Sequence, residues 1–599
     1  MLRTVLAIPP SILKPALAAR FFSWSWGWAF IFFLSAVIHS EAQETHLLTG
    51  RILPVFDGQP LALGTLALTS KGGQTLSVER CDFLLSGLAL QKDSGEWITA
   101  KNWAAYIGIG EGRTDFSMGR VPVGRYSRIR FHVGLEPDLN GAEAGQYPAG
   151  HPLNPAVNGL HWSWLGGYVF LALEGRWKDE TLGLTGFSYH LASSRCLMTV
   201  ELPVDLDLHA DTRLTLKCDV AQMLGQQRFS RDTMSTHSRE GDELAALLCR
   251  QVEKSFSVDS LASAPPIPAA PPAAHRVALN PQATLHPFRL PRYLPIPVLP
   301  GDNPLTEEGI ALGRALFRDP QLSCNGSQSC ATCHDPGHGL SDARSASPGA
   351  EGQAGRRHAM PLSNLAWKSA FFWDGRAASL REQVLQPIEN PSEMHETLPH
   401  VVEKLSRDAR YPKLFQAAFG TEAIDGDLLA RALEQYLLTL QAHQARFDRV
   451  MRGEVKFSED EQSGFDLFHT EYDPRRGLRG ADCFHCHGGP LFRSVAFANN
   501  GLDGEFKKDG GRSEVTHREA DLGKFAVPSL RNVAQTGPYM HDGRFQTLEE
   551  VIDHYSTGVK RSATLDPNLA KHPDGGVHFS EAEKRSLIAF LRTLTEDSP

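Results

Sequence analysis

Two short runs of the sequence pair two cysteines with a histidine at the spacing that attaches haem covalently. Residues 330–334 read Cys-Ala-Thr-Cys-His, and residues 483–487 read Cys-Phe-His-Cys-His. In this motif the two thiols form thioethers with the porphyrin, and the histidine turns a ring nitrogen to the iron. With 9 Cys and 24 His in 599 residues, chance supplies roughly 0.005 such motifs. A redox cysteine pair or half of a zinc site is the alternative, but no second cysteine pair completes a zinc knuckle. We therefore predict two covalently attached c-type haems, bound by Cys330, Cys333, His334, Cys483, Cys486 and His487.

The second predicted haem has a candidate for its other axial ligand. Met540 lies in the run Gly-Pro-Tyr-Met-His-Asp-Gly-Arg at residues 537–544. A methionine thioether opposite His487 would stabilise ferrous iron and raise the reduction potential, which suits an electron relay. Tyr539 and His541 are the alternative ligands.

The first predicted haem has no obvious second ligand. Between His338 and His358 the sequence contains neither His nor Met, so the iron at His334 is expected to keep one coordination position open. An open haem beside a carboxylate is what peroxide activation needs, because the carboxylate moves a proton from the inner to the outer peroxide oxygen. Glu393 is the candidate for this base, and Glu389 is the alternative.

The N-terminus predicts export. Basic residues precede an apolar run at 24–38, and small residues follow it, which is typical of a signal peptide over residues 1–42. An uncleaved membrane anchor is the alternative, and either predicts a periplasmic location for the rest of the chain. The five cysteines outside the haem motifs could form disulfides there, although their pairing cannot be read from spacing. The net charge of −9 argues against a nucleic-acid partner.

The remaining sequence divides at a proline-rich segment. Residues 46–256 alternate apolar and polar positions between glycine-rich turns, which predicts an antiparallel β-sandwich. Residues 257–300 contain the proline-rich run and are predicted to be a linker. Helical spacing dominates beyond it, and each half contains one haem motif. The predicted fold class is therefore multidomain: the β-sandwich is followed by two mainly α-helical cytochrome c-like haem domains, at 301–445 and 446–599.

Motifs of the C-terminal half resemble those of the bacterial di-haem cytochrome c peroxidases and their relative MauG, which oxidises residues of a protein partner. The matching positions are the two haem motifs, the run Phe-Phe-Trp-Asp-Gly-Arg at 371–376, Gln383, Pro387, Glu393 and the run 538–543. The resemblance implies that Trp373 lies between the haems and that Met540 is the far ligand of the second haem. It also implies that Gln383 and Glu393 belong to the distal pocket, with Pro387 at its wall.

Two positions refine this resemblance. The absence of a displaceable histidine after the first haem motif resembles the MauG branch, which need not be pre-reduced to react. His358 stands where the family commonly has an Asn of an interdomain calcium site, so calcium between the haem domains is a further expectation. Independently of the family, an indole at Trp373 between two irons would split one long electron jump into two short ones. A large core aromatic is the alternative for Trp373.

The N-terminal region carries a second resemblance. The runs His-Trp-Ser-Trp-Leu-Gly-Gly-Tyr at 161–168 and Phe-Ser-Tyr-His at 187–190 are similar to the copper-binding MbnP proteins, whose di-haem partner of the MbnH type converts a tryptophan of the copper protein into kynurenine. The resemblance implies His161 and His190 as copper ligands. Trp162 and Trp164 are the candidates for the oxidised residue, unranked. Residue type alone is weaker evidence, because histidines that bind copper also pack in strands.

Together these motifs predict an enzyme that uses hydrogen peroxide to oxidise a tryptophan in its own N-terminal domain. A tether to that domain raises the effective concentration of the substrate, so that even slow oxidation becomes efficient. One alternative is a cytochrome c peroxidase that reduces peroxide with a small cytochrome or copper protein as donor. A second is a non-catalytic electron carrier or copper-binding protein.

Overall fold

The structure, a computed structural model, describes residues 44–162, 167–181, 183–264 and 280–597. The predicted signal peptide, Trp164 and most of the proline-rich segment lie outside the described residues. The segment Thr45–Pro599 forms one compact unit. No helix in the described part of the chain has both the length and the apolar character needed to cross a bilayer.

The described N-terminal strands form a five-stranded and a ten-stranded sheet. Their bounds are β1 Thr45–Phe56, β2 Gln59–Pro60, β3 Leu68–Thr69, β4 Thr75–Lys92, β5 Trp97–Thr99, β6 Ala104–Gly108, β7 Asp115–Pro122, β8 Gly124–Val133, β9 His161–Trp162, β10 Gly167–Asp179, β11 Gly183–Ala192, β12 Met198–Leu208, β13 Thr212–Asp219, β14 Ser235–Thr236 and β15 Phe256–Ser263. Burial alternates along β12, as expected for a strand with one face on the core. The central strand β4 is buried over most of its length.

The pairing of these strands is mixed rather than purely antiparallel. The smaller sheet has the order β15-β13-β1-β2, with β7 also on β1, and the larger has the order β12-β8-β4-β10-β11-β14. The ladders β1–β13 and β11–β14 are parallel, so the prediction of a wholly antiparallel sandwich is wrong at these two ladders. Parallel neighbours need a long crossover, and the chain from β1 to β13 passes through most of the region. Strand β15 pairs with β13 as far as Ser263, so the first residues of the predicted linker belong to this sheet.

The helices lie mainly in the C-terminal half. Their bounds are α1 Pro137–Asn140, α2 Pro155–Asn158, α3 Val220–Leu224, α4 Glu243–Val252, α5 Glu307–Phe317, α6 Cys330–Cys333, α7 Leu380–Gln383, α8 Gln386–Glu389, α9 Leu398–Arg407, α10 Tyr411–Phe419, α11 Gly426–Leu438, α12 Arg446–Met451, α13 Glu459–Phe468, α14 Ser513–Thr516, α15 Leu548–Asp553, α16 Pro567–Ala570 and α17 Glu581–Arg592. Two short ladders, β16 Tyr472–Asp473 with β17 Leu478–Arg479 and β18 Phe497–Ala498 with β19 Phe525–Ala526, complete this half.

Each haem-motif region contains a closely packed helix pair. In the first, Gly313 of α5 lies so close to α11 that an added Cβ would overlap the Ala432 carbonyl oxygen. In the second, Gly464 of α13 lies in the same way against the Ser586 carbonyl of α17. Side-chain caps begin these helices; the Thr306 hydroxyl, for example, accepts from the backbone of the first turn of α5.

The described apolar residues form two large clusters. One covers the first haem-motif region. The other joins the N-terminal strands to the second haem-motif region and includes Trp162, Phe484 and Phe590. The β region and the second haem-motif region therefore share one continuous apolar core.

Candidate active site

The first haem motif lines a cavity of about 750 Å³. Helix α6 carries Cys330 and Cys333, and His334 follows it directly. The Nδ1 of His334 lies 3.1 Å from the Leu340 carbonyl oxygen. Donation to that carbonyl places the ring proton on Nδ1 and leaves the Nε2 lone pair for a metal, as ligating histidines require. These residues fit a covalently bound haem.

Three predicted residues line the same cavity: Gln383, Pro387 and Glu393. A carboxylate oxygen of Glu393 accepts a hydrogen bond from the Asn390 amide at 2.7 Å. Burial raises the pKa of Glu393. A partly buried carboxyl whose pKa is raised takes up and returns a proton more readily than an exposed one. Glu389, the alternative base, is exposed and is not among the residues that line the cavity.

The second haem motif lines a separate cavity of about 210 Å³, together with Met540. The Nδ1 of His487 lies 3.3 Å from the Phe492 carbonyl oxygen, so its Nε2 is also left free. The Met540 sulfur accepts from the Asn500 amide at 3.3 Å, which orients the thioether. The geometry brings His487 and Met540 to one cavity, as predicted for two axial ligands.

The alternative ligands of the second site have other contacts. The Tyr539 hydroxyl donates to the Val533 carbonyl at 2.9 Å. The ring of His541 stacks on Phe525, with centroids 3.7 Å apart. Both residues line the cavity. The Met540 sulfur has a second lone pair beside the one that accepts from Asn500, so it could bind a metal without losing that contact.

Trp373 lines both cavities. Its indole nitrogen donates to the His358 carbonyl at 2.8 Å, and its side chain is buried. The His358 ring is held at both nitrogens, by the Ser341 hydroxyl at 2.9 Å and the Arg344 carbonyl at 3.1 Å. Calcium takes oxygen ligands, and the His358 imidazole offers none, so calcium between the haem domains stays a prediction.

Two partly buried cations, Lys368 and Arg493, lie beside the haem-motif cavities. Burial, together with Arg493, lowers the pKa of Lys368 to about 7, and burial lowers that of Arg493 to about 10. No ion pair among the described residues joins either cation to a carboxylate. Lys368 lines the first cavity, and both residues line a small cavity nearby. The propionate groups of haem are anions of the kind that such buried cations need.

Trp162 lies on strand β9 and is 7% exposed. Its ring meets Phe484 edge-on at a centroid distance of 5.1 Å and stacks on His237 at 5.6 Å. Phe484 and His485 are the two variable residues of the second haem motif. The tryptophan also lines a cavity of about 420 Å³ with residues of both halves of the chain. Trp164, the other candidate, lies outside the described residues.

The two predicted copper ligands lie in different surroundings. The ring of His161 packs edge-on against Tyr168 at 4.6 Å, and burial lowers its pKa to about 4. His190 instead groups with His237 and His485, whose ring nitrogens lie within 4.8 Å of one another. The sequence interpretation did not select His237 or His485. The sequence signal that could have identified His485 is the additional histidine between the two cysteines of the second haem motif.

Comparisons with known proteins agree with this division of the chain. The family model for di-haem cytochrome c peroxidase matches residues 307–456, and the MbnP model matches residues 45–238. The chain is 39% identical over 311 residues to methylamine utilization protein MauG of Methylorubrum extorquens, covering 51% of this chain and 83% of the relative. It is 32% identical over 309 residues to cytochrome c551 peroxidase of Nitrosomonas europaea, covering 51% and 85%. A crystal structure of a MauG-like protein associated with microbial copper homeostasis is 34% identical, covering 52% of this chain and 96% of that chain, with a TM-score of 0.47.

Proposed function

The chain belongs to the di-haem cytochrome c peroxidase and MauG family of oxidoreductases and carries an MbnP domain at its N-terminus. From this premise we propose that it uses hydrogen peroxide to oxidise Trp162 of its own N-terminal region. One observation carries the proposal. The Trp162 indole lies in ring contact with Phe484, inside the second haem motif. Substrate and enzyme are thus parts of one packed core, and no diffusional encounter is needed.

Peroxide is activated at the first cavity. A haem bound there through His334 would supply the two-electron reduction of peroxide. Glu393 takes the proton of the inner peroxide oxygen and returns it to the outer one, so that water leaves. Gln383 and Pro387, which line the same cavity, confine peroxide beside this carboxylate.

Aromatic residues mark the route from the substrate to the first cavity. Phe484 touches Trp162 and stands between the two cysteines that anchor the second haem. His487 and Met540 would hold the second haem, which would then have no position left for peroxide and would serve as an electron relay. Trp373 borders both cavities and divides the remaining distance. With both haems in place, electrons drawn from Trp162 would pass along these positions in turn.

The proposed product is kynurenine. Two molecules of hydrogen peroxide accept the four electrons that leave Trp162 and, with four protons, become four molecules of water. Two molecules of water beside the indole supply the two oxygen atoms that replace its double bond and release the four protons, which gives N-formylkynurenine. Hydrolysis then releases formate. The cavity of about 420 Å³ beside Trp162 offers space for the added oxygens and for the hydrolytic water.

The setting of the reaction is part of the proposal. Covalent haem is attached outside the bacterial cytoplasm, so the chain is proposed to act in the periplasm. The two N-terminal sheets are proposed to be the faces of a sandwich, and the two helix pairs to belong to two cytochrome c-like domains. The α5–α11 and α13–α17 contacts support the second assignment.

Peptide mass spectrometry across residues 159–168, before and after peroxide, tests the proposal. We expect oxygen addition and then conversion to kynurenine at Trp162 in the protein that carries both haems. Trp162→Phe should abolish the modification, and the matched variant Trp164→Phe should retain it. Modification of Trp164 alone, or none in either residue while peroxide is consumed, would reject Trp162 as the substrate.

A second function is favoured by the similarity to a cytochrome c551 peroxidase. In that case peroxide is reduced with electrons from a small cytochrome or copper protein, and the chain itself stays unmodified. Peroxide consumption should then depend on added reduced donor. Modification of Trp162 without a donor would instead support self-oxidation.

A further inference from the structure

A side-chain amide contacts the sulfur of the predicted axial methionine in the second haem-motif cavity. The Nδ2 atom of Asn500 lies 3.3 Å from the Met540 sulfur and 3.4 Å from the Tyr555 hydroxyl oxygen. These three residues line the cavity together with His487. A thioether accepts hydrogen bonds but has none to donate, so the nitrogen of the Asn500 side chain, and not its oxygen, faces the sulfur.

The backbone around Asn500 is held by neighbouring segments. The Asn500 carbonyl accepts from the Nε2 of His554 at 3.1 Å. The side-chain amide of the preceding Asn499 donates to the hydroxyls of Ser562 and Thr564, each at 2.9 Å. Asn500 therefore presents its amide to the cavity from a fixed position.

Two of these contacts come from an irregular turn of helix. Residues His554–Gly558 form a π-helical turn directly after α15, and single π turns are frequent at functional sites. The turn brings His554, which is 6% exposed, to the Asn500 carbonyl and Tyr555 to the Asn500 amide. One turn thus fixes both the backbone and the side chain of Asn500.

The backbone of Met540 is also constrained. Its φ angle is 75°, in the left-handed region that residues other than glycine seldom adopt. The Tyr539 amide donates to the Phe545 carbonyl at 2.7 Å, and the Gly543 amide donates to the Met540 carbonyl at 3.2 Å. These bonds close a tight loop around the methionine, and such a conformation persists only where surrounding contacts hold it.

The Met540 sulfur has two lone pairs, and Asn500 occupies one of them. The other is left for iron, so the sulfur would bind in one of its two opposite configurations. A hydrogen bond to the ligand also withdraws electron density from it, and a weaker donor favours ferrous iron. We propose that Asn500 is a positioning residue for the second haem, which selects the sulfur lone pair for the iron and raises the reduction potential of that haem. The inference rests on the proposed role of Met540 as ligand.

The same contact would protect the ligand in an enzyme that consumes peroxide. Oxygen transfer from hydrogen peroxide starts at a sulfur lone pair, breaks the O–O bond, forms methionine sulfoxide and releases water. With one lone pair on Asn500 and the other on iron, the Met540 sulfur offers none to peroxide. Peptide mass spectrometry after peroxide should find more sulfoxide at Met540 in Asn500→Leu than in the parent, and equal amounts would contradict this protection.

Spectroelectrochemistry of the protein that carries both haems tests the effect on the potential. Asn500→Leu keeps the approximate size of the side chain and removes the donor. A net hydrogen bond is worth at most about a tenfold change in an equilibrium constant. At a fixed applied potential the ratio of ferrous to ferric iron at the second haem should therefore fall by up to about tenfold. Tyr555→Phe is the matched control, because it removes the other group that the amide meets, and its ratio should stay near that of the parent.

A double-mutant cycle separates an effect on the sulfur from a loss of packing. Met540→His replaces the thioether by an imidazole, so Asn500→Leu in that background has no sulfur to act on and should change the potential much less. Proton NMR of the ferric protein should show one sulfur configuration in the parent and exchange between two in Asn500→Leu. An equal potential change in both backgrounds, no change in Asn500→Leu, or an equally large change in Tyr555→Phe would overturn the proposal.

The potential and the NMR spectrum are measured without peroxide, so their outcome is separate from Trp162 oxidation. A ferric parent without the charge-transfer band of a methionine-ligated haem would reject Met540 as ligand and this inference with it. A lowered potential in Asn500→Leu, in a protein whose Trp162 stays unmodified after peroxide, would reject only the proposed oxidation. An unchanged potential with Trp162 oxidised would reject only the role of Asn500.

Discussion

Replacement of Glu393 by Gln tests the peroxide-activating base. The amide keeps the shape of the carboxyl, and the Asn390 amide at 2.7 Å can still pair with its oxygen, so the cavity wall is preserved. The proton acceptor is lost. A positioned acid–base group contributes about 100- to 10,000-fold to a rate, or roughly 3 to 5 kcal/mol of barrier. We expect peroxide-driven oxidation of Trp162 to slow by that factor.

The raised pKa of Glu393 gives the pH dependence a sign. The base works when ionised, so the parent rate should fall as the pH drops through a pKa above that of an exposed carboxyl. Folding favours the protonated form of this group, and its stabilising effect is lost as the pH rises through the folded-state pKa. Glu393→Gln should therefore remove the acidic limb of the rate profile without lowering the melting temperature at neutral pH.

The assay follows Trp162 conversion by peptide mass spectrometry after a single addition of peroxide. Glu389→Gln is the matched control, because Glu389 is exposed and lies off the cavity. Both variants should retain two haems. Oxidation at the parent rate in Glu393→Gln, or an equal loss in Glu389→Gln, would refute the assignment of the base.

Three further predictions concern the relay, the buried cations and the cysteines. Trp373→Phe should slow Trp162 oxidation more than it slows peroxide binding at the first haem; stopped-flow spectroscopy with peptide analysis measures both, and Trp162 oxidation at the parent rate would argue against a relay. The same substitution should cost about 1 to 3 kcal/mol of unfolding free energy, measured by denaturant titration, because the buried His358 carbonyl loses its donor. Lys368→Met should lower the reduction potential of the first haem, because a nearby positive charge favours the reduced iron; spectroelectrochemistry would contradict this by finding no shift or a rise. Cys196 and Cys249, with sulfur atoms 2.7 Å apart and 53 positions of separation, should form a disulfide in exported protein, worth about 4 kcal/mol from chain entropy; non-reducing peptide mapping that finds both thiols free would exclude it.

The sequence alone determined the features that depend on neighbours along the chain. Haem attachment needs two thiols and an imidazole within five consecutive residues, so it can be recognised from the sequence at residues 330–334 and 483–487 without knowledge of the fold. Helices α5 and α17 were predictable because apolar spacing and the capping residues Thr306 and Ser580 are local signals. Glu393 and Met540 were candidates from their residue types, and a family resemblance supported both; each lines the cavity that contains the corresponding haem motif.

Only the tertiary structure decided which distant residues meet. His190 and His237 are 47 positions apart, and His237 and His485 are 248 apart, so no periodicity relates them. Trp162 and Phe484, and the two strands of the parallel β1–β13 ladder, are likewise far apart in sequence and meet only in the folded chain. Their meeting depends on a core that the β region shares with the second haem-motif region, and burial of apolar surface is non-directional, so a sequence pattern states that a residue is buried but not against which partner.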